Sequence, residues 1–387
     1  MKRIGLIDNL VDINNFLENK FHTATAAEVM TATGGNTGNV AFVFGTRKML
    51  KNPVTRIGWG WTPEVVRQRV DHLVVCCANQ IGPHADLAGW ADRLEQFGLP
   101  ATFVGLGAQA DDFSKAPTIP VGTLKFLEVA NRFRSDGGAT NIAVRGDFTK
   151  GVLAGVGTAS EAAGCPSLMI SQEPALGAAI LARQPEKAFS QVVVAAGNPW
   201  HGPSAFVESL LVEIVERFAG TYILQHPVSM LNVAFGEHEQ LPPETVKRFL
   251  AVYGERFDVE GLFAWYRQHA AVFVDVPNWL RFLSRADCVL GPRYHGVALG
   301  MQAGKPGYVI TIDSRTQELC DGTGIKSLPV AEALQWDADR LVEFARWSAD
   351  DAMAFDANRS QKAVICAEFL RSNGLEPSDH LTALAAP

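Results

Sequence analysis

The sequence predicts an α/β protein of two parallel-sheet domains that face each other across a cleft, with C-terminal helices packing back. Three observations carry that expectation. Short apolar runs without polar alternation recur between helix-length amphipathic segments, as strands covered on both faces require. The rhythm runs twice, on either side of a polar, proline-containing joint, LARQPEKAFSQ (181–191). The chain has 387 residues, 47% hydrophobic and 19% charged, which suffices for two domains of ordinary size.

In the first half HLVVCCAN (72–79) reads as a buried strand and ADLAGWADRLEQFG (85–98) as the helix after it. PATFVGLGAQ (100–109) is the next strand with a glycine-rich turn, VGTLKFLEVANRF (121–133) a helix, and NIAVRGD (141–147) a strand. AAGCPSLMI (162–170) reads as a turn into a further strand. In the second half SQVVVAAGN (190–198) is a strand, and PSAFVESLLVEIVERFA (203–219) a helix with i, i+3, i+4 apolar spacing. GTYILQHP (220–227), AVFVDV (271–276), ADCVLGP (286–292) and GYVITID (307–313) are strands. Residues 228–270 read as helical, with a proline-started helix in LPPETVKRFLAVYGERF. The expected units are residues 1–184, residues 185–340 and a helical tail, 341–387. Ligands of such sheets sit outside the carboxyl ends of the strands.

Charge and composition exclude several classes. A net charge of −7 with no cluster of five or more basic residues argues against a nucleic-acid surface or a polybasic membrane anchor. The opening MKRIGLIDNLVDINN is too polar for a signal peptide. No stretch approaches ~18 uninterrupted apolar residues, so no transmembrane segment is expected. The expected location is the cytoplasm, with peripheral attachment at the inner face of a membrane allowed. The six cysteines are scattered without a CxxC, and read as reduced and structural rather than as a metal site. Trp59 and Trp61 read as packing residues in preference to a sugar-stacking pair.

Three loops carry residue types unsuited to a core. TGGNTGNVAF (33–42), read as following a strand in EVMTAT, offers Gly34, Gly35 and Gly38 for a tight turn. Asn36 or Asn39 can cap a helix beginning near Val40, and a ligand cradle and a plain capped turn both fit the spacing. In AVRGDFTKGVL (143–153), Arg145 ends a strand. It either forks onto a carboxylate or phosphate or pairs with an acid such as Asp147, and the residues alone favour the pair. Ser167 has neither a neighbouring base nor a nucleophile elbow. The third loop, GPRYHGVALGMQAGKP (291–306), runs from strand through turn into a helix of small residues. Arg293 and His295 stand at the mouth of that helix, where an anion is favoured. The helix dipole and Arg293 would disfavour an imidazolium until a dianion binds, which suits a general acid. A histidine that only caps or packs is the alternative; the adjacent arginine and the glycine-flanked turn favour chemistry.

In this order and spacing GGNTGN, AVRGDFT, GCPSL, RYHGVALGMQAGKP and IDSRTQELCDGTGI (312–325) resemble the polysaccharide pyruvyl transferase family over roughly residues 31–330. The Arg-x-His followed by a G-x-P turn is the most specific part. At Asn39 the chain departs from the family, many members of which carry Asp. The resemblance implies a glycosyltransferase-B-like architecture of two Rossmann-like domains with the site between them. It implies transfer of the enolpyruvyl unit of phosphoenolpyruvate onto a sugar, giving a pyruvate ketal and phosphate, with no metal or other cofactor. By motif match His295 takes the catalytic position, and Arg293 and Arg145 hold the donor's anionic groups. Arg315 is a further candidate clamp, Asn36 and Asn39 are candidate substrate contacts, and Asp313 or Glu318 could take the hydroxyl proton. Residues 1–184 would form the acceptor side and 185–340 the phosphoenolpyruvate side. The acceptor is a saccharide, with a lipid-linked one allowed, as is a homo-oligomer.

Two rivals stand beside this expectation. One is a nucleotide-sugar glycosyltransferase of the same shape, which would usually carry a ribose-binding glutamate on the small-residue helix. Here VALGMQAG has Leu299 near that place and no acid. The other is a family member that binds without catalysing.

Overall fold

The protein is described by a computed structural model that covers residues 1–386 apart from 111, 112, 136, 137, 238, 240 and 255. Among the described residues twelve short strands form two sheets. The first contains β1 (Ile4–Ile7), β2 (Val54–Ile57), β3 (His72–Cys76), β4 (Ala101–Leu106), β5 (Ile142–Val144) and β6 (Glu161–Ala162), in the order β2-β1-β3-β4-β5-β6. The second contains β7 (Val192–Ala195), β8 (Thr221–Leu224), β9 (Ala270–Val272), β10 (Cys288–Gly291), β11 (Gly307–Thr311) and β12 (Ser327–Pro329), in the order β12-β11-β10-β7-β8-β9. Every pairing is parallel.

Strands β3, β4, β5, β7, β10 and β11 are buried at every residue, which is why their sequences are apolar without alternation. With their crossover helices the two sheets make two Rossmann-like domains, the arrangement the sequence predicts. In each sheet the order reverses once, between β1 and β3 and between β7 and β10. A crevice opens at the carboxyl ends beside such a reversal, where no helix crosses over. The site loops described below that carry Asn79, Arg145, Gln225, Arg293 and Arg315 leave the sheets at their carboxyl ends.

Several local expectations differ from the structure. EVMTAT lies in a helix, Ala26–Ala32, started by a capping box between Thr25 and Glu28, so the glycine-rich loop follows a helix rather than a strand. AAGCPSLMI holds only the end of β6 and a 3-10 turn, Pro166–Met169, because Pro166 has no N–H to give a ladder. AVFVDV stops as a strand at Val272; Asp275 accepts from the Asn278 N–H and starts a helix, Val276–Leu283. The strands β1, β2 and β12 have three or four residues each, too short for a periodicity to stand out.

The tail forms a long helix, Ala349–Ser372, that lies against the segment following β6. Arg359, 1% exposed, donates to the carbonyls of Leu168 at 3.1 Å and Ser171 at 2.6 Å, and Lys362 to that of Ala162 at 2.8 Å. Trp59 packs against Trp90 with ring centroids 4.9 Å apart, so its ring serves the core. All six cysteines are buried and unpaired. Among the described residues no helix is long and apolar enough to cross a membrane.

Candidate active site

A cleft of about 700 Å³ opens between the carboxyl ends of the two sheets and narrows into a recess of about 80 Å³. Six residues singled out in the sequence, Asn36, Asn39, Arg145, Arg293, His295 and Arg315, all border that recess. Among the described residues no carboxylate does.

Arg293 and His295 are brought there by the end of β10. Gly291 has φ +139°, and a Cβ there would run into the Ala195 backbone of the neighbouring β7, so the tight turn needs glycine. The helix Tyr294–Gln302 then begins, with Arg293 as its N-cap residue. Arg293 donates Nε and Nη2 to the Gly197 carbonyl at 3.2 and 3.1 Å, and Nη2 to the His226 carbonyl at 3.0 Å. Three bonds to backbone carbonyls fix the guanidinium without neutralising it. Burial, and then the charge of Arg315, lower its pKa to about 10, so it remains a cation at neutral pH.

His295 is half-buried, its ring 5.7 Å from that of Phe42 and its Nε2 3.6 Å from Cys165 Sγ. Burial, reinforced by the charges of Arg145 and Arg315, lowers its pKa to about 3. The imidazole is therefore neutral in the ligand-free protein. The sequence assigned this effect to Arg293 and the helix dipole; the fold assigns it to burial and to two more distant arginines.

Arg145, 3% exposed, does not pair with Asp147. Its Nε donates to the Gly105 carbonyl at 2.9 Å and its Nη1 to Asn79 Oδ1, with the guanidinium 5.9 Å from the centre of the Phe42 ring. Asp147 opens the helix Asp147–Ala154 and borders a separate surface groove, which takes it away from the arginine. Arg315 pairs with Asp313 at 3.0 Å. Asp313 also caps the helix Ser314–Thr323 by accepting from the Thr316 N–H at 2.8 Å.

Glu318 is not in the cleft. Its carboxylate accepts from the Thr149 N–H at 2.6 Å and from Thr149 Oγ1 at 2.8 Å, and burial raises its pKa. It joins the two domains behind Arg145, so a role in taking the acceptor proton does not fit its position. Neither asparagine of the glycine-rich loop caps the helix Asn39–Met49. Asn36 Oδ1 accepts from the Gly38 N–H at 2.8 Å, while Asn39 Nδ2 donates to the carbonyls of Thr33 at 2.9 Å and Gly34 at 3.2 Å. Both stiffen the turn that walls the recess.

The sequence reading passed over Asn79, Gln225 and His226, which border the recess or the outer cleft. A signal was present. Asn79 is the first polar residue after the buried run of β3, and Gln225 and His226 follow β8 directly, where the carboxyl-end rule would have pointed.

The sequence profile of the family described as polysaccharide pyruvyl transferase matches residues 35–314. No curated protein matches the chain. Among solved structures, UDP-N-acetylglucosamine 2-epimerase from Rickettsia bellii aligns over 96% of this chain and 96% of its own, at 12% identity and TM-score 0.46. The glycotransferase of kitacinnamycin aligns over 99% of this chain and 97% of its own, at 14% identity and TM-score 0.33. The glycosyltransferase SnogD from Streptomyces nogalater aligns over 93% and 95%, at 11% identity and TM-score 0.32. The profile match spans well over half of the chain and strands of both sheets, and on it the chain belongs to the polysaccharide pyruvyl transferase family.

Proposed function

We propose that the protein transfers the enolpyruvyl unit of phosphoenolpyruvate to a saccharide, forming a pyruvate ketal and releasing phosphate. The observation that carries this reading is the recess itself: three guanidiniums and a neutral histidine, with no bordering carboxylate. Phosphoenolpyruvate brings a carboxylate and a phosphate, which match several fixed cations. Arg145 reaches the recess from the first domain and Arg293 and Arg315 from the second, so the donor site draws on both.

His295 is the general acid. Bound phosphoenolpyruvate offsets the charges of Arg145 and Arg315, which removes repulsion that disfavours the imidazolium. The imidazolium protonates the methylene carbon, leaving an oxocarbenium-like centre at C2 that an acceptor hydroxyl attacks. A second hydroxyl displaces phosphate from C2 and closes the ketal. Of the two hydroxyl protons, one balances the proton now on the methyl group and the other leaves with phosphate. A positioned acid contributes on the order of 10²–10⁴ in rate, and the arginines stabilise the departing phosphate further.

His226 is the base for the hydroxyl proton. Its Nδ1 lies 3.0 Å from the Gly35 carbonyl, which can only accept, so Nδ1 carries the hydrogen and the neutral ring keeps a lone pair on Nε2. Burial and the charge of Arg293 lower its pKa, which keeps the ring neutral. It borders the outer cleft beside Asn9, Gln80, Gln109, Asn198 and His201, amide and imidazole groups suited to sugar hydroxyls. The test incubates the purified protein with phosphoenolpyruvate and candidate saccharides, free and lipid-linked, and follows phosphate release and product mass. Nucleotide sugars run in parallel: transfer from them, with no phosphate released from phosphoenolpyruvate, would replace this reading.

A further inference from the structure

We propose that Gln225 is a substrate-binding residue whose side-chain amide holds an oxygen of the small anion gripped by Arg145, Arg293 and Arg315. This deepens the donor reading of the recess and rests on it. Gln225 is the first residue past β8 and is 1% exposed. Its backbone is tied across the cleft, its carbonyl accepting from the Thr37 N–H at 3.1 Å, while Thr37 Oγ1 donates to the Leu224 carbonyl at 3.3 Å.

The amide is wedged between glycines from the two domains. A Cβ on Gly296 would stand 2.7 Å from Gln225 Nε2, and one on Gly38 would strike its Oε1. The amide thus packs directly against both glycines. Yet Nε2 is buried with no hydrogen-bond partner among the described residues, in a side chain that borders the recess. Buried donors are nearly always satisfied, because the lost hydration is otherwise uncompensated.

The other groups around this donor say what would satisfy it. Arg145, Arg293 and Arg315 present donors only. A wall of this kind suits an anion with several oxygens. The recess, about 80 Å³, has room for a few waters or one such anion.

Two variants test the assignment on the full chain. Gln225→Met keeps length and bulk but removes the donor; Gln225→Glu keeps the shape and adds a negative charge. Binding of phosphoenolpyruvate, inorganic phosphate and pyruvate is measured by calorimetry, with thermal melting of the free proteins alongside. The methionine variant should melt at or above the wild-type temperature and bind phosphoenolpyruvate about tenfold or more weakly, and the glutamate variant more weakly still. Whichever of phosphate and pyruvate loses more affinity identifies the end of the donor that the amide holds. Equal affinity of wild type and methionine variant for all three anions overturns the proposal, and so does a wild-type protein that binds none of them. If the methionine variant does not fold, the glutamate variant decides alone, unchanged affinity overturning the proposal and weakened affinity supporting it. Failure of the transfer reaction looks different: wild type would bind phosphate in a Gln225-dependent way but release none from phosphoenolpyruvate with any acceptor.

Discussion

Glu318, on the helix after β11, fastens Thr149, on the helix after β5, with both carboxylate oxygens: Oε1 takes the backbone N–H at 2.6 Å and Oε2 the hydroxyl at 2.8 Å. This buried contact joins the two domains behind the recess and sets Arg145, four residues before Thr149, beside Arg315, three residues before Glu318. Glu318→Ala strands two buried donors and should cost about 1–3 kcal/mol in chemical denaturation. Glu318→Gln, which can still accept from the Thr149 N–H, should cost less. Equal losses in the two variants would mean that the contact does not depend on hydrogen bonding.

The proposed acid role of His295 separates rate from affinity. His295→Asn should lower kcat by about 10²–10⁴ while phosphoenolpyruvate affinity stays within about tenfold. The free imidazole titrates at about 3, so its pKa must rise on binding for it to act as an acid. Binding at pH 7 should therefore take up as much as one proton, read by calorimetry in buffers of different ionisation heat. The asparagine variant should bind without that uptake; identical uptake in both proteins would remove His295 as its source.

The proposed donor contact of Arg293 depends on geometry as well as charge. A lysine in its place keeps the charge but cannot span the carbonyls of Gly197 and His226 in the same way. Arg293→Lys should weaken phosphoenolpyruvate binding by about tenfold to a hundredfold with little change in melting temperature. Wild-type affinity in this variant would show that charge alone suffices.

If His226 is the base, as proposed, its loss should be open to chemical rescue. His226→Ala should lose about 10²–10³ in kcat, and added imidazole should restore part of it. His84→Gln and His201→Gln, at the other histidines of the outer cleft, should change acceptor KM more than kcat. Rescue confined to a variant of one of those residues would move the role there.

Glu208 gives a stability prediction. It is 0% exposed and receives the Tyr222 hydroxyl on Oε2, and burial, only partly offset by that bond, raises its pKa from 4.5 to about 7. The folded protein therefore holds more protons than the unfolded chain between those values. The stability this group contributes is full below pH 4.5 and is lost as pH rises through 7. At about 1.4 kcal/mol per pKa unit, the loss is capped at roughly 3 kcal/mol. Glu208→Gln should flatten denaturation midpoints between pH 5 and 8; an unchanged slope would assign the pH dependence to other groups.

Much of this architecture was legible because burial leaves a local record. Runs such as CVLG and VVVA are apolar at every position since both faces of each strand are covered. Arg293 and His295 were equally legible, because strand, turn and helix start follow one another within a few residues. Elsewhere the local signal misled. Arg145 looked like half of an ion pair with Asp147, two residues away, but a strand end followed by a helix start sends the two side chains in different directions. Glu318 looked like a base, yet its carboxylate is consumed by a residue of the other domain.

The hydrophobic pattern and the RxH turn thus settle the fold class and one side of the pocket, since both depend on neighbours in sequence. The company His295 keeps, and the unsatisfied amide of Gln225, depend on which strands lie side by side: β10 next to β7, and β7 next to β8. Periodicity reports that a segment is buried but not what buries it. The convergence of Arg145 and Arg315 on a single imidazole, with Gln225 bordering the same recess, therefore came into being only when the chain had closed around the cleft.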